Sequence, residues 1–226
     1  MLAKIKSSKS LADQAYLAIK EEIVKNRFKP KEVLLEESLA ASLGISRTPL
    51  RVALKKLEFE RLIYINSSKQ AVVADVTKED MIKMFVVRLG IEPVLIRLVC
   101  QMAGQPAGQR AYQETLVKLD ENLALTQAAV DRDDLRMAVE YEMKFDAILA
   151  ECAGNEHITP IISGIGVIME RYFLLSLKHY SMCPVALAEH REMVQAIKER
   201  DCDKAAARSF AHLQRMAADL ELPLPI

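Results

Sequence analysis

Three basic side chains recur at intervals of four in the N-terminal third of the chain: Arg47, Arg51 and Lys55. In an α-helix this spacing places all three on one face. An arginine on such a face donates two hydrogen bonds to the O6 and N7 edge of guanine in the major groove, whereas a lysine more often meets a phosphate. The pattern indicates a helix that reads double-stranded DNA; the alternative is an ordinary solvated helix face.

The helix that carries these side chains follows a shorter one that begins near residue 36. Gly44, between the two, can adopt the positive φ of a tight turn. Ser46 or Thr48 can cap the second helix, and Pro49 in its first turn loses no needed N–H. Its other face is an apolar stripe for packing: Leu50, Ala53, Leu54 and Leu57. Helix, turn and helix therefore occur in the order of a helix-turn-helix motif, after a first helix predicted over 11–25.

Two short apolar segments, 62–66 and 71–76, are predicted strands. The connection between them is polar and holds Ser67, Ser68 and Lys69. Such a hairpin can act as a wing that lies along phosphates or enters the minor groove, and an unremarkable surface hairpin is the alternative.

Charge is segregated along the 226 residues, although the net charge is zero. Residues 1–76 hold fourteen Lys and Arg against nine Asp and Glu, and residues 77–226 hold seventeen against twenty-two. A basic third joined to an acidic remainder is typical of a nucleic-acid module attached to a different domain. We therefore expect two domains, 1–76 and 77–226.

The second domain is predicted to be entirely helical. Its helices are expected over 78–103, 107–130, 133–153, 156–179, 183–199 and 202–218, with breaks or caps at Gly, Pro, Asp and Asn residues between them. The predicted fold is therefore mainly α: an N-terminal winged helix-turn-helix followed by a bundle of six helices. Bundles of this kind enclose pockets between facing helices.

Other features of the chain favour a cytoplasmic protein. Cys100, Cys152, Cys183 and Cys202 form no CxxC pair, which is typical of a reducing compartment. We see no signal peptide and no membrane span.

The N-terminal module resembles the GntR family of bacterial regulators. The matching residues are Leu39, Ala40, 43–51, Ala53, Leu54, Leu57 and Glu58. The resemblance implies a homodimer on a palindromic operator, with Arg47, Thr48 and Arg51 contacting DNA and the wing tip assisting. The chain departs from the family pattern at Glu37, where an arginine is common, at Arg61, where a glycine is usual, and in a wing tip that lacks glycine. We expect Glu37 to turn toward a basic neighbour.

The second domain resembles the sensor domain of the FadR branch of that family, called FCD. The matching segments are 85–92, Phe145, 153–155, 189–191 and 211–213. The resemblance implies a divalent metal, Zn, Ni, Mn or Fe, held by Glu142, Asp146, His190 and His212. Asp146 stands where the family has a histidine, which makes the site harder and more negative. Carboxylates on an ordinary charged helix and two isolated histidines are the alternative.

Arg88 matches the family's effector-binding arginine, and a guanidinium pairs bidentately with a carboxylate. An intrahelical pair with Glu92 is the alternative. The sequence thus predicts a ligand-responsive repressor, without enzymatic activity, that a small carboxylate metabolite releases from DNA. A metal-free sensor of acyl-chain or hydrophobic ligands, or a metal-dependent hydrolase or lyase, are the other functions considered.

Overall fold

In a computed structural model the chain is described over residues 10–175 and 182–225. It divides into two compact units between Val76 and Thr77. The elements of the first unit are α1 (Leu11–Val24), β1 (Val33–Leu34), α2 (Glu36–Leu43), α3 (Arg47–Phe59), β2 (Ile63–Ile65) and β3 (Ala71–Val73). The three strands form an antiparallel sheet in the order β1-β3-β2.

Local signals explain where the first helix begins. The Ser10 hydroxyl accepts a hydrogen bond from the Asp13 N–H at 3.1 Å, and the Asp13 side chain accepts from the Ser10 N–H in return. This capping box satisfies donors that the first helical turn leaves without partners. Ile19 and Ile23 on the inner face of α1 are almost wholly buried, so α1 is held by packing.

Strand β1 was missed by the sequence analysis. It has only two residues, too few for the alternation of apolar and polar residues that identifies a strand. Val33 pairs with Val72, and Leu34 pairs with Ala71. Of the two wing strands, β3 is therefore the central strand of the sheet and β2 is an edge strand, so β1 holds the wing from its other side.

The second unit consists of helices in the described residues: α4 (Lys78–Met102), α5 (Gln109–Asp131), α6 (Leu135–Ala153), α7 (Ile158–Leu175), α8 (Met182–Lys198) and α9 (Cys202–Asp219). They match the predicted helices to within about two residues, except that the predicted extension of α7 over 176–179 lies outside the described residues. The mainly helical fold is therefore as predicted.

The core of the second unit lies between α4, α5, α6 and α8. Leu95 from α4, Leu119 from α5 and Phe145 from α6 meet there and are almost wholly buried. Helix α4 also packs along α9, and α6 packs along both α5 and α7. Arg88 on α4 and Glu142 on α6 are buried beside this core, and the packing of the helices brings their faces together.

No membrane span was expected from the sequence, and helix α7 is a segment whose length and composition would nevertheless allow it to cross a membrane. By length and composition alone Ile158–Leu175 is long and apolar enough to do so, and 22% of it is buried in the described chain. Ile161 and Leu175 are among its exposed residues.

Candidate functional site

Helix α3 presents its predicted reading face to solvent. Arg47, Thr48, Arg51 and Lys55 are all exposed, while the apolar stripe on the other side of the helix is buried. Ser46 occupies the N-cap position, but its side chain makes no capping hydrogen bond. The sequence analysis offered Ser46 or Thr48 as the capping residue of α3. The hydroxyl of Ser46 does not fill this role.

The two arginines of this face form ion pairs with the preceding helix. Arg51 Nε donates to Glu36 Oε2 at 2.9 Å, and Arg47 Nη2 lies 3.5 Å from Glu37 Oε2. Gly44, with φ of 64°, makes the turn that brings α2 alongside the start of α3. The basic neighbour of Glu37 is therefore Arg47, and both arginines of this face have a carboxylate partner on α2.

The wing has a tightly closed tip. The Asn66 N–H donates to the Gln70 carbonyl at 3.0 Å, and the Lys69 N–H donates to the Asn66 carbonyl at 2.9 Å. The Asn66 side-chain oxygen accepts a third hydrogen bond from the Gln70 N–H at 2.9 Å. Lys69 turns the chain with φ of 60°, a conformation that favours glycine. Ser67, Ser68 and Lys69 are exposed. The tip thus presents two hydroxyls and a cation on a hydrogen-bonded turn.

Arg61, at the base of the wing, also has a positive φ, of 58°. This is the position where the family pattern has glycine. The backbone at this position is left-handed, although arginine stands where the family pattern has glycine. Because a side chain with a Cβ is unfavourable in this conformation, the turn is strained.

In the second unit, both candidate histidine ligands are buried beside Glu142. The rings of His190 and His212 have centroids 4.8 Å apart, and His190 stacks on Phe145 at 3.9 Å. Nδ1 of His190 lies 3.2 Å from Glu142 Oε2. Helices α6, α8 and α9 therefore converge on one polar site inside an apolar core.

Burial determines the protonation of this site. It raises the pKa of Glu142 to about 8, helped by the nearby Asp146 and Glu189 carboxylates. Burial also lowers the pKa of His190 well below its usual range, and His212 lowers it further. Both shifts favour the uncharged form of the group concerned, so the 3.2 Å contact between Glu142 and His190 lacks the full strength of an ion pair. A neutral imidazole is the form that binds a metal.

Glu189 and Arg215 form a second layer around His212. The Glu189 carboxylate contacts His212 Nδ1 at 2.5 Å and accepts hydrogen bonds from Arg215 Nε at 2.5 Å and Nη2 at 2.8 Å. Burial alone would raise the pKa of Glu189, but the hydrogen bonds from His212 and Arg215 outweigh it and lower the pKa to about 2. Glu189 is thus a carboxylate that fixes the orientation of the His212 ring.

Arg88 is buried, and each of its guanidinium nitrogens has a partner. Nε donates to Glu92, Nη1 lies 3.0 Å from the sulfur of Met169, and Nη2 donates to Asp146 Oδ2 at 2.7 Å. The intrahelical pair with Glu92, left open as an alternative, is therefore present. A cavity of about 10 Å³ borders Arg88 and Asp146, with room for about one water molecule.

The four candidate metal ligands provide suitable donor atoms. Glu142 Oε1 is buried and has no hydrogen-bond partner, and His212 is oriented by a carboxylate, as metal-bound histidines usually are. In the described residues, however, no three His, Cys, Asp or Glu side chains lie close enough to hold a metal. Asp146 is directed to Arg88 instead.

Sequence reasoning did not identify Glu189, Arg215 or Met169 as site residues. Glu189 was noted only as part of the segment 189–191 that resembles the FCD domain. Its partner His212 lies 23 positions away, and Met169 lies 81 positions from Arg88, so no local spacing signals either contact.

Two families match the chain. Residues 11–73 match "Bacterial regulatory proteins, gntR family", and residues 83–215 match the "FCD domain". The match to the FCD domain includes α7.

Curated relatives resemble the chain over nearly its whole length. The HTH-type transcriptional repressor RspR of Escherichia coli K12 is 24% identical over 90% of this chain and 86% of its own. The HTH-type transcriptional repressor GlaR of the same organism is 26% identical over 88% of this chain and 90% of its own. The structure titled "E. coli McbR/YncC" superposes with a TM-score of 0.77 at 20% identity, and covers 94% of this chain and 97% of that one.

Proposed function

The chain belongs to the GntR family of bacterial transcription regulators and carries an FCD domain, and we propose that it is a repressor which a small carboxylate metabolite releases from its operator. DNA binding is the general activity of this family. The observation that carries the assignment to α3 is its exposed face, where Arg47 and Arg51 stand beside Thr48 and Lys55.

In the proposed complex α3 enters the major groove. Arg47, Thr48 and Arg51 contact bases near its N-terminal end, Lys55 contacts a phosphate, and Ser67, Ser68 and Lys69 of the wing contact the adjoining backbone. Two copies bind the two halves of a palindromic operator, because half-site spacing mirrors the symmetry of a dimer.

The Arg51→Ala variant tests this assignment. Against an operator selected from a pool of random duplexes, it should lose about 1–3 kcal/mol of binding free energy and discriminate less between base pairs. The Lys55→Ala variant is the matched comparison, since loss of a phosphate contact weakens binding to all sequences alike and lowers the salt dependence. An Arg51→Ala protein with unchanged operator affinity contradicts the role given to α3.

We further propose that Glu142, Asp146, His190 and His212 hold a divalent metal, which can be Zn, Ni, Mn or Fe. The buried Glu142 Oε1 without a partner and the oriented His212 support this. A bound metal would supply a fixed positive charge for a carboxylate effector. The relatives named as repressors favour this sensing role over a catalytic one.

Arg88 is the proposed second contact for the effector, because its guanidinium matches a carboxylate in shape and charge. Release from DNA then requires only that the effector binds one dimer geometry better than the other. Small shifts of the helices in the second unit are sufficient, since two reading helices must keep a fixed separation.

Elemental analysis by mass spectrometry tests the metal site. Full-length protein exposed to the four metals should retain one in near-stoichiometric amount. The His190→Ala and His212→Ala variants should lose it, and His157→Ala should not, because His157 is 89% exposed in the same unit. If the wild-type protein retains no metal, the proposed metal site is wrong and the effector must bind to a pocket without a metal. The DNA-binding assignment would be unaffected.

We propose that the protein is a cytoplasmic homodimer in which a second copy covers the exposed apolar face of α7. The exposed residues of that face include Ile161 and Leu175, and Ile165, Val167 and Ile168 are only partly buried. Because α7 lies inside the match to the FCD domain, packing against a partner explains its composition better than a membrane span does.

A further inference from the structure

Two of the four cysteines meet where α4 ends and α9 begins. Cys100 lies in the last turn of α4, and Cys202 is the first residue of α9. The two side chains contact each other through their thiols, and neither forms a disulfide. The fold therefore brings a pair of reduced sulfurs into direct contact from positions that are far apart in the sequence.

The packing of the two helices holds this contact in place. Helix α4 packs along α9, and Arg97 Nη2 donates to Asp203 Oδ1 at 2.6 Å. Arg97 lies one helical turn before Cys100 on α4. Asp203 directly follows Cys202 on α9. The ion pair and the thiol contact thus join the same turns of the two helices, and a disulfide requires backbones that already lie close together.

The two thiols differ in their access to solvent. Cys100 is 3% exposed, whereas Cys202 is only partly buried. Burial, and then the contact with Cys202, raises the pKa of the Cys100 thiol to about 12. Cys100 therefore keeps its proton, and Cys202 is the sulfur that an oxidant in solution can reach.

We propose that Cys100 and Cys202 form an oxidation site, at which a hydroperoxide produces a reversible disulfide bridge between α4 and α9. The Cys202 sulfur attacks the hydroperoxide, the O–O bond breaks, and Cys202 becomes a sulfenic acid while water or an alcohol leaves with the thiol proton. The Cys100 sulfur then attacks the Cys202 sulfur, the S–O bond breaks, and water leaves with the Cys100 proton. The two thiols together lose two electrons, and the hydroperoxide gains them.

The bridge would change the stability of the second unit. It would close a loop of about 100 residues, which restricts the unfolded chain and stabilises the folded one. In a reducing compartment such bridges are typically transient. Reduction proceeds by thiol–disulfide exchange, in which an external thiol attacks the accessible sulfur of Cys202. The oxidised protein should therefore be the more stable form, and a thiol reductant should restore the original pair.

Oxidation of full-length protein with hydrogen peroxide tests the site. The reduced protein is treated with peroxide, its remaining thiols are blocked, and it is digested with trypsin without reductant. Mass spectrometry should find peptide 98–110 joined to peptide 201–204, and two of the four free thiols should be lost. Dithiothreitol should reverse both changes. The oxidised protein should unfold at a Tm about 5–10 °C above that of the reduced protein.

Three variants assign the chemistry to the two sulfurs. Cys202→Ser should keep its three thiols, and Cys100→Ser should stop at a sulfenic acid on Cys202, which dimedone traps. Cys152→Ser is the matched control and should form the bridge, because Cys152 Sγ contacts Met102 Sδ at 3.8 Å and the Ala111 carbonyl oxygen at 3.9 Å. Circular dichroism checks that each variant folds, and Cys202→Ser, at the more accessible position, is decisive if Cys100→Ser does not fold.

Three results would overturn the proposal. One is wild-type protein that keeps all four thiols at peroxide doses that oxidise glutathione. Another is oxidation of Cys202 to a sulfenic or sulfinic acid, or to a bridge between two chains, while Cys100 stays a thiol. The third is a Tm that falls on oxidation, because the native packing of α4 against α9 would then be incompatible with the bridge.

Discussion

Glu37 on α2 lies 3.5 Å from the guanidinium of Arg47, the first residue of α3. Both side chains are exposed, so the pair contributes little to stability. It nevertheless places a carboxylate beside an arginine that we propose contacts DNA. Glu36 stands in the same relation to Arg51. The free protein thus neutralises part of the face that we assign to DNA binding.

The Glu37→Gln variant should bind DNA more tightly than the wild type. It removes a negative charge that faces phosphates and frees Arg47 from its ion pair, so a gain of about 0.5–1 kcal/mol is expected from the size of exposed ion pairs. Fluorescence anisotropy with a labelled operator duplex at several salt concentrations measures it. Glu156→Gln, a change of equal charge at an exposed site in the second unit, is the control. Equal gains from both variants would attribute the effect to net charge.

The Arg61→Gly variant should stabilise the first unit by about 1 kcal/mol. Arg61 adopts a φ of 58°, and the left-handed region costs a residue with a Cβ about 1–2 kcal/mol, part of which the greater flexibility of glycine in the unfolded chain offsets. Hydrogen exchange in β2 and β3 reports the opening of this unit separately from the other.

The Ser46→Gly variant is the control for that measurement. Ser46 has φ of −75° in the extended region and makes no side-chain capping bond, so glycine relieves no strain there. Faster exchange in Arg61→Gly, or equal slowing in both variants, would show that the turn at the base of the wing is not strained.

How far the sequence predicts the structure depends on the range of the interactions. The bounds of α4 and α6 follow from capping and punctuating residues within a few positions, as at Asp134 and Gly154. The Arg88–Glu92 pair was foreseen because one helical turn separates the two residues. Asp146, in contrast, lies 58 positions from Arg88, and only the packing of α6 against α4 brings them together. The resemblance to the FCD domain assigned Asp146 to a metal and therefore did not predict its ion pair with Arg88.

Substitution of Ile161 should weaken the proposed homodimer. Ile161 on α7 is 43% exposed in the single chain, and a charge there would be buried without a partner in the interface. The Ile161→Glu variant should sediment as a monomer in analytical ultracentrifugation at concentrations where the wild type is dimeric. Val117→Glu on α5, at a site that is 57% exposed, is the matched control. Loss of the dimer in both variants, or in neither, would remove α7 from the interface.

The Glu189→Gln variant should weaken metal binding without removing a metal ligand. Glu189 contacts His212 Nδ1 at 2.5 Å, which leaves the other ring nitrogen of His212 for a metal and increases its basicity. Loss of such a carboxylate typically lowers metal affinity about 10- to 100-fold. Competition with a chromogenic chelator measures the affinity.

The control for this prediction is Glu192→Gln. Glu192 lies on the same helix, is about half exposed and pairs with Arg208, so its loss removes an ion pair of the second unit without touching His212. Thermal denaturation of both metal-free variants separates stability from affinity. Weaker metal binding in Glu189→Gln alone, at a stability similar to that of Glu192→Gln, indicates that Glu189 acts by orienting His212. Equal metal affinities in the two variants would show that Glu189 does not orient His212 for metal binding and serves only as an ion-pair partner of Arg215.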